Sequence, residues 1–251
     1  MDVNHLLVNV SLLRDRVPSF DEYPFNVPAV RHLDTLDFHP NVTFLVGENG
    51  SGKSTLLEGI AVTLGVNPEG GSRHFRFSTR ADAHSHLFRF IRVRRGVLAP
   101  KDYFFLRAES LFNLATEIER LDREGGGRPI IDSYGGKSLH EQSHGESFYA
   151  VFAHRFRAQS VYLLDEPEAA LSPMRQLGFL TLMNDLVRGQ SQFIIATHSP
   201  IILAYPNAWI YLLGNDGIAR TPYEETEHYR TTKQFLDNPQ RMLSILLEPP
   251  E

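Results

Sequence analysis

The chain has no cysteine among its 251 residues, which excludes disulfides and thiolate metal sites and suits a cytoplasmic protein. No run of about 18 apolar residues occurs, so no membrane-spanning helix is expected. The start, Met1-Asp2-Val3-Asn4-His5, lacks the basic opening and apolar core of a secretory leader. Positive charge is not in excess: 25 Lys and Arg stand against 30 Asp and Glu, a net charge of −5, so a general affinity for nucleic acid is not indicated. What remains, 42% hydrophobic and 22% charged, can bury one substantial core, and 1–251 is expected to be one domain.

Within this ordinary composition one stretch stands out. Gly47-Glu48-Asn49-Gly50-Ser51-Gly52-Lys53-Ser54 satisfies G-x-x-x-x-G-K-[ST], the phosphate-binding loop. Val42-Thr43-Phe44-Leu45-Val46 before it reads as a short buried strand, and Thr55-Leu56-Leu57 after it as the first turn of a helix. A strand, a glycine-rich turn and a helix start aim backbone N–H groups and a positive helix end at one spot. A nucleotide polyphosphate uses all of those donors. Lys53 is expected to reach the β- and γ-phosphates and Ser54 to coordinate Mg²⁺.

Strands at 6–10 and 42–46, with prolines between them, predict a strand-rich, antiparallel N-terminal portion. A helix is expected over 54–65, then a polar surface loop at 68–84. Residues 109–124 carry Leu111, Leu114, Ala115, Ile118 and Leu121 at helical spacing, so a small helical insertion is expected at roughly 85–140. From 145 onward helices (147–157, 174–188) alternate with strands (161–164, 193–196, 209–213), and the tail, 226–247, reads as helix with a restart at Asn238-Pro239. Such alternation predicts an α/β fold of the P-loop NTPase kind, a mainly parallel sheet flanked by helices.

Two more strand ends carry chemistry. Val161-Tyr162-Leu163-Leu164 runs into Asp165-Glu166, and the carboxyl ends of parallel strands are where ligands sit. Asp165 is expected to hold the Mg²⁺ hydration shell and Glu166 to polarise the attacking water, since neighbouring side chains alternate along a strand. Phe193-Ile194-Ile195-Ala196-Thr197 ends in His198, placed to contact the γ-phosphate.

These residues resemble the ATP-binding-cassette ATPases, in the soluble branch related to chromosome-maintenance and repair ATPases, over about 40–213. The resemblance implies a signature loop that opens a helix ahead of the acid-bearing strand. Gln142-Ser143-His144-Gly145-Glu146 occupies that place; Ser143 and Gly145 fit, His144 and Glu146 depart from the common form. Glu168-Ala169-Ala170-Leu171-Ser172 looks like the loop that crosses the dimer interface. The family's usual metal-contacting glutamine between phosphate loop and signature is missing, for no Gln stands between Lys53 and Gln142, and Glu109 is the candidate to replace it. Long heptads are absent too, so no coiled-coil arm is expected.

The resemblance implies ATP and Mg²⁺ as cofactors, hydrolysis, a homodimer when ATP is bound, and an effector partner of unidentified kind. A nucleotide-binding subunit of a transporter, or a nucleotide sensor that does not hydrolyse, stays open as an alternative. Tyr23 and Phe25 are candidates to stack on adenine, or core residues. The arginines 73, 76, 80, 89, 92, 94 and 95 form either a solvated face or a partner surface, nucleic acid included. His140-Glu141-Gln142-Ser143-His144 matches the zinc-protease pattern H-E-x-x-H, but Gly135-Gly136 and Gly145 around it argue for a loop, where the two histidines do not share a helix face.

Overall fold

Fully apolar strands punctuated by glycine and proline set the frame. In the computed structural model, which describes residues 5–72, 85–125 and 127–247, the chain begins with β1 (Leu7–Leu12), α1 (Pro28–Arg31), β2 (Thr35–Asp37), β3 (Val42–Val46) and α2 (Lys53–Thr63). It continues through β4 (Gly71–Ser72), β5 (Ile91–Arg95), β6 (Asp102–Arg107), α3 (Leu111–Glu124) and α4 (His144–Ala150). Then come β7 (Ser160–Asp165), α5 (Pro173–Arg188), β8 (Gln192–Ala196), α6 (Pro200–Leu203), β9 (Trp209–Gly214), β10 (Gly217–Arg220), α7 (Glu227–Asp237) and α8 (Pro239–Leu247).

Among the described residues the main sheet has seven strands in the order β10-β9-β3-β8-β7-β6-β4. The five central strands are parallel, and β10 and β4 close the edges antiparallel. β2, β1 and β5 form a separate antiparallel sheet, the expected N-terminal β portion. Gln192 ties the two sheets: its amide accepts from the Leu7 N–H at 2.7 Å and donates to the Leu7 carbonyl at 2.9 Å.

Strand alternation divides the core into two layers. Phe44, Tyr162, Leu164 and Phe193 face one side, with α3, α4 and α5 packed on them. Leu45, Val161, Leu163 and Ile194 face the other, where α2 lies between the main sheet and the smaller one. That sandwiched position explains why α2 buries Leu56, Leu57, Ile60 and Ala61 with almost no polar face. Among the described residues no helix is long and apolar enough to cross a membrane.

Some expectations need correcting. The segment 85–140 is not all helix: after one 3₁₀ turn at His86–Arg89 come β5 and β6, and β6 is a strand of the main sheet, so the main helical portion starts at Ala108. Likewise 68–72 is not surface loop. Gly71 and Ser72 pair with Phe105 and Phe104, and Glu69 is buried; two residues carry no periodicity to read. The rest of that loop, 73–84, lies outside the described residues. The helix expected from Ser147 begins at His144, because Glu146 at its third position accepts the Ser143 N–H, and it ends in a π-helical turn, Val151–Arg155. The tail follows expectation, with the Asn238 side chain accepting the Arg241 N–H at 3.1 Å.

Candidate functional site

β3 ends at Val46, and Gly47–Gly52 turn the chain back so that α2 starts at Lys53. Gly52 has φ +94°, and a Cβ there would lie 2.7 Å from Val27 Cγ2 and 3.1 Å from Ala29 Cβ, so only glycine fits. Lys53 is buried. Its ammonium donates to the Gly47 carbonyl at 2.7 Å and the Glu48 carbonyl at 3.0 Å, which leaves its third hydrogen for a ligand. Burial lowers its pKa, while Glu166, Asp165 and Glu168 pull the other way. Glu48, Asn49 and Gly50 are exposed at the tip of the loop, and the Ser51 hydroxyl is buried without a partner among the described residues.

Asp165 follows Val161 and Leu163 in alternation, so it points to the side of the sheet on which α2 lies. There the Ser54 hydroxyl donates to Asp165 Oδ1 at 3.0 Å. Burial raises the Asp165 pKa, and Arg107 opposes it, its Nε donating to Oδ2 at 3.1 Å. The same guanidinium reaches Glu58 Oε2 at 3.3 Å.

Glu166 leaves the strand with φ 51° and ψ 53°, a left-handed conformation that costs a non-glycine residue on the order of 1–3 kcal/mol. Pro167 disfavours the right-handed helical alternative for the residue before it. The turn puts the Glu166 side chain 42% exposed, in contrast to its buried neighbour, with Oε1 3.7 Å from His198 Nε2. His198 sits one residue past Thr197 at the tip of β8, held by Glu168, whose carboxylate accepts the Thr197 hydroxyl at 2.7 Å and the His198 backbone N–H. Burial, and then Lys53, lower the His198 pKa.

Lys53, Ser54, Asp165, Glu166 and His198 thus converge. Other expected site residues stand apart. Ser143 precedes α4, its hydroxyl donating to Glu146 Oε2 at 2.6 Å, and Glu146 lies 3.6 Å from Arg175. A Cβ on Gly145 would sit 2.7 Å from the Ala170 carbonyl, so this glycine lets α4 press against the loop behind Glu166. Glu109 is exposed on the 3₁₀ turn after β6, facing the Arg107 charge; no described hydrogen bond joins it to Ser54 or Asp165. Thr55 is half-buried, 3.5 Å from the hydroxyl of Tyr23, which is 62% exposed. Phe25 is core, edge-on to Phe90.

His140 lies on a 3₁₀ turn and His144 opens α4, so the zinc pattern never shares a helix. Among the described residues no three His, Asp or Glu side chains are grouped to hold a metal by themselves. Arg89, Arg92, Arg94 and Arg95 are exposed on and before β5; Arg73, Arg76 and Arg80 lie outside the described residues.

Three residues at the site were not singled out from the sequence, Arg107, Glu58 and His228, and Glu168 was read only as part of the loop expected to cross the dimer interface. Arg107 carried the one readable signal, since it ends an apolar strand as Asp165 does. His228 arrives from α7, thirty residues after His198, with its Nε2 2.9 Å from His198 Nδ1.

Comparison with known proteins follows the same outline. A family model described as an AAA domain matches residues 25–132, and a second AAA-domain model, whose description names the AbiEii toxin and type IV toxin–antitoxin systems, matches 131–204. An uncharacterized ABC transporter ATP-binding protein of Haemophilus influenzae is 26% identical, over 73% of this chain and 74% of the relative. The energy-coupling factor transporter ATP-binding protein EcfA2 of Latilactobacillus sakei is 26% identical over 84% of this chain and 79% of its own length. ABC transporter E family member 1 of Arabidopsis thaliana is 25% identical over 73% of this chain, which spans only 33% of that relative. Among solved structures, the SMC head domain from Thermotoga maritima has a TM-score of 0.44 at 16% identity, covering 86% of this chain and 98% of that one. In its phosphate loop and across these relatives, the chain is similar to the ABC-type P-loop ATPases.

Proposed function

We propose that this chain binds and hydrolyses Mg-ATP in a site completed by a second copy of itself, and that the nucleotide state switches its hold on a soluble effector. The observation that carries this reading is the convergence of Lys53, Ser54, Asp165, Glu166 and His198 at the tips of three adjacent parallel strands.

The residues present fit the ligand. An unpartnered buried Ser51 hydroxyl, an ammonium with a hydrogen to spare and the start of α2 are donors for phosphate oxygens. Ser54 and Asp165 offer the hard oxygens that magnesium takes, directly or through water. Magnesium held there would neutralise phosphate charge. Exposed Glu166 accepts a proton from the water that attacks the γ-phosphorus, as the bond to ADP breaks. Lys53 and His198 stabilise the charge on the transferring group. Ser143, outside its own chain's cluster, would face the nucleotide of the other copy.

The test is Glu166→Gln. Turnover should fall about 10²–10⁴-fold while ATP still binds; wild-type phosphate release would remove Glu166 from the mechanism, and none from either protein would make the chain a sensor. The names of its relatives favour a second reading, an ATP-binding subunit of a transporter. Capture of the Glu166→Gln protein with Mg-ATP separates the two: a polytopic membrane protein speaks for transport, a soluble effector for the switch.

A further inference from the structure

We propose that His228 is a positioning residue for His198: its Nε2–H donates to His198 Nδ1, which leaves the His198 ring proton on Nε2, facing Glu166. The role rests on the reading of the site as an ATP γ-phosphate site, but the contact itself is independent of it.

The two ring nitrogens are 2.9 Å apart, and one of them must donate. Burial lowers the pKa of both rings, with Lys53 adding to the effect on His198 and His198 to that on His228. Two neutral rings share one proton across the contact, so two arrangements exist. If His198 donated from Nδ1, its Nε2 would be a bare lone pair. That atom is buried, has no hydrogen-bond partner among the described residues, and lies 3.7 Å from Glu166 Oε1. A lone pair there would oppose one anion and could not donate to another. With His228 as donor, Nε2 carries the hydrogen that a carboxylate or a phosphate oxygen accepts.

The approach of His228 is a built feature of the fold. Thr226, buried, caps α7 by accepting the Tyr229 N–H at 3.3 Å while donating to the Tyr223 carbonyl at 2.7 Å. Tyr223 in turn donates to the Pro200 carbonyl at 2.8 Å, two residues past His198. The second residue of α7 is thereby fixed against the segment that carries His198.

Nitrogen-15 imidazole spectra of the nucleotide-free protein read the tautomer directly. Wild type should show His198 protonated at Nε2 alone; His228→Phe, which keeps the ring contact without the donor, should show both tautomers. Turnover of His228→Phe should fall about 10-fold with KM for ATP little changed, and His228→Gln, whose amide can donate to the same nitrogen, should recover most of it. A proton on His198 Nδ1 in the wild type would overturn the proposal, as would His228→Phe leaving spectrum and turnover unaltered. A wild-type protein that binds no ATP would overturn the reading of the site, and the ring spectrum would still decide the role of His228.

Discussion

Arg107 and Asp165 stand directly opposite each other on β6 and β7, and the Arg107 Nε donates to the Asp165 carboxylate at 3.1 Å. An acid this deeply buried is tolerated because it is paired, and a second acid, Glu58, holds the arginine in turn. Arg107→Met should therefore destabilise the chain by about 3 kcal/mol in urea unfolding, and adding Asp165→Asn should recover part of that loss. A change within about 0.5 kcal/mol would mean that the pair is solvated rather than structural.

Gly52 has both a positive φ and no room for a side chain. Gly52→Ala should weaken ATP binding at least about 10-fold by calorimetric titration, since the loop must shift away from Val27, and cost about 1–2 kcal/mol of stability. Unchanged affinity would show that the loop's shape is not what holds the phosphates.

Ser143 belongs to the other copy's site in the proposed dimer. Ser143→Arg in a Glu166→Gln background should remain monomeric by light scattering with Mg-ATP present, while binding nucleotide as its parent does. A dimer equal to the parent's would refute the composite site.

Acid should loosen the fold through the paired histidines. His198 and His228 have folded pKa values below the ordinary histidine value of 6.5, so the unfolded chain takes up protons that the folded chain does not. The stability they contribute is present above 6.5 and is lost as pH falls through the lower folded values. Asp165 and Glu168 have the opposite sign: raised by burial from 3.8 and 4.5, they favour the fold at low pH and lose that contribution as pH rises. The wild-type slope between pH 7 and 5 should thus be steeper than that of His228→Phe in urea unfolding. Parallel slopes would mean that His228 titrates as it does in water.

The parallel strands β3, β7, β8 and β9 and the phosphate loop were legible because their signals are local: an unbroken apolar run, a glycine pattern, a lysine at a fixed distance; β6 was absorbed into the expected helical insertion. Asp165 and Glu166 were legible as a pair, and strand alternation anticipated their separate environments. The left-handed turn at Glu166 exposes it further than alternation alone requires. Arg107, His228 and the hold of Glu168 on Thr197 were not legible, because each acts on a partner between 29 and 58 residues away, a distance set by strand order and by the docking of α7. Residues 71–72 escaped for the opposite reason, as an edge strand too short to have a pattern. Phe25 and Tyr23 were equivalent in the sequence and are told apart only by burial.

Across four neighbouring strands Leu45, Ala196, Asp165 and Arg107 lie in one row of pairing. A deletion or insertion of a single residue within β7 would turn Asp165 away from Ser54 and carry its neighbour into the buried place, exchanging the two acids in one stroke. A change of length within these strands thus does what no single substitution does, whereas the exposed Asn215-Asp216 turn between β9 and β10 can take an insertion without moving this row.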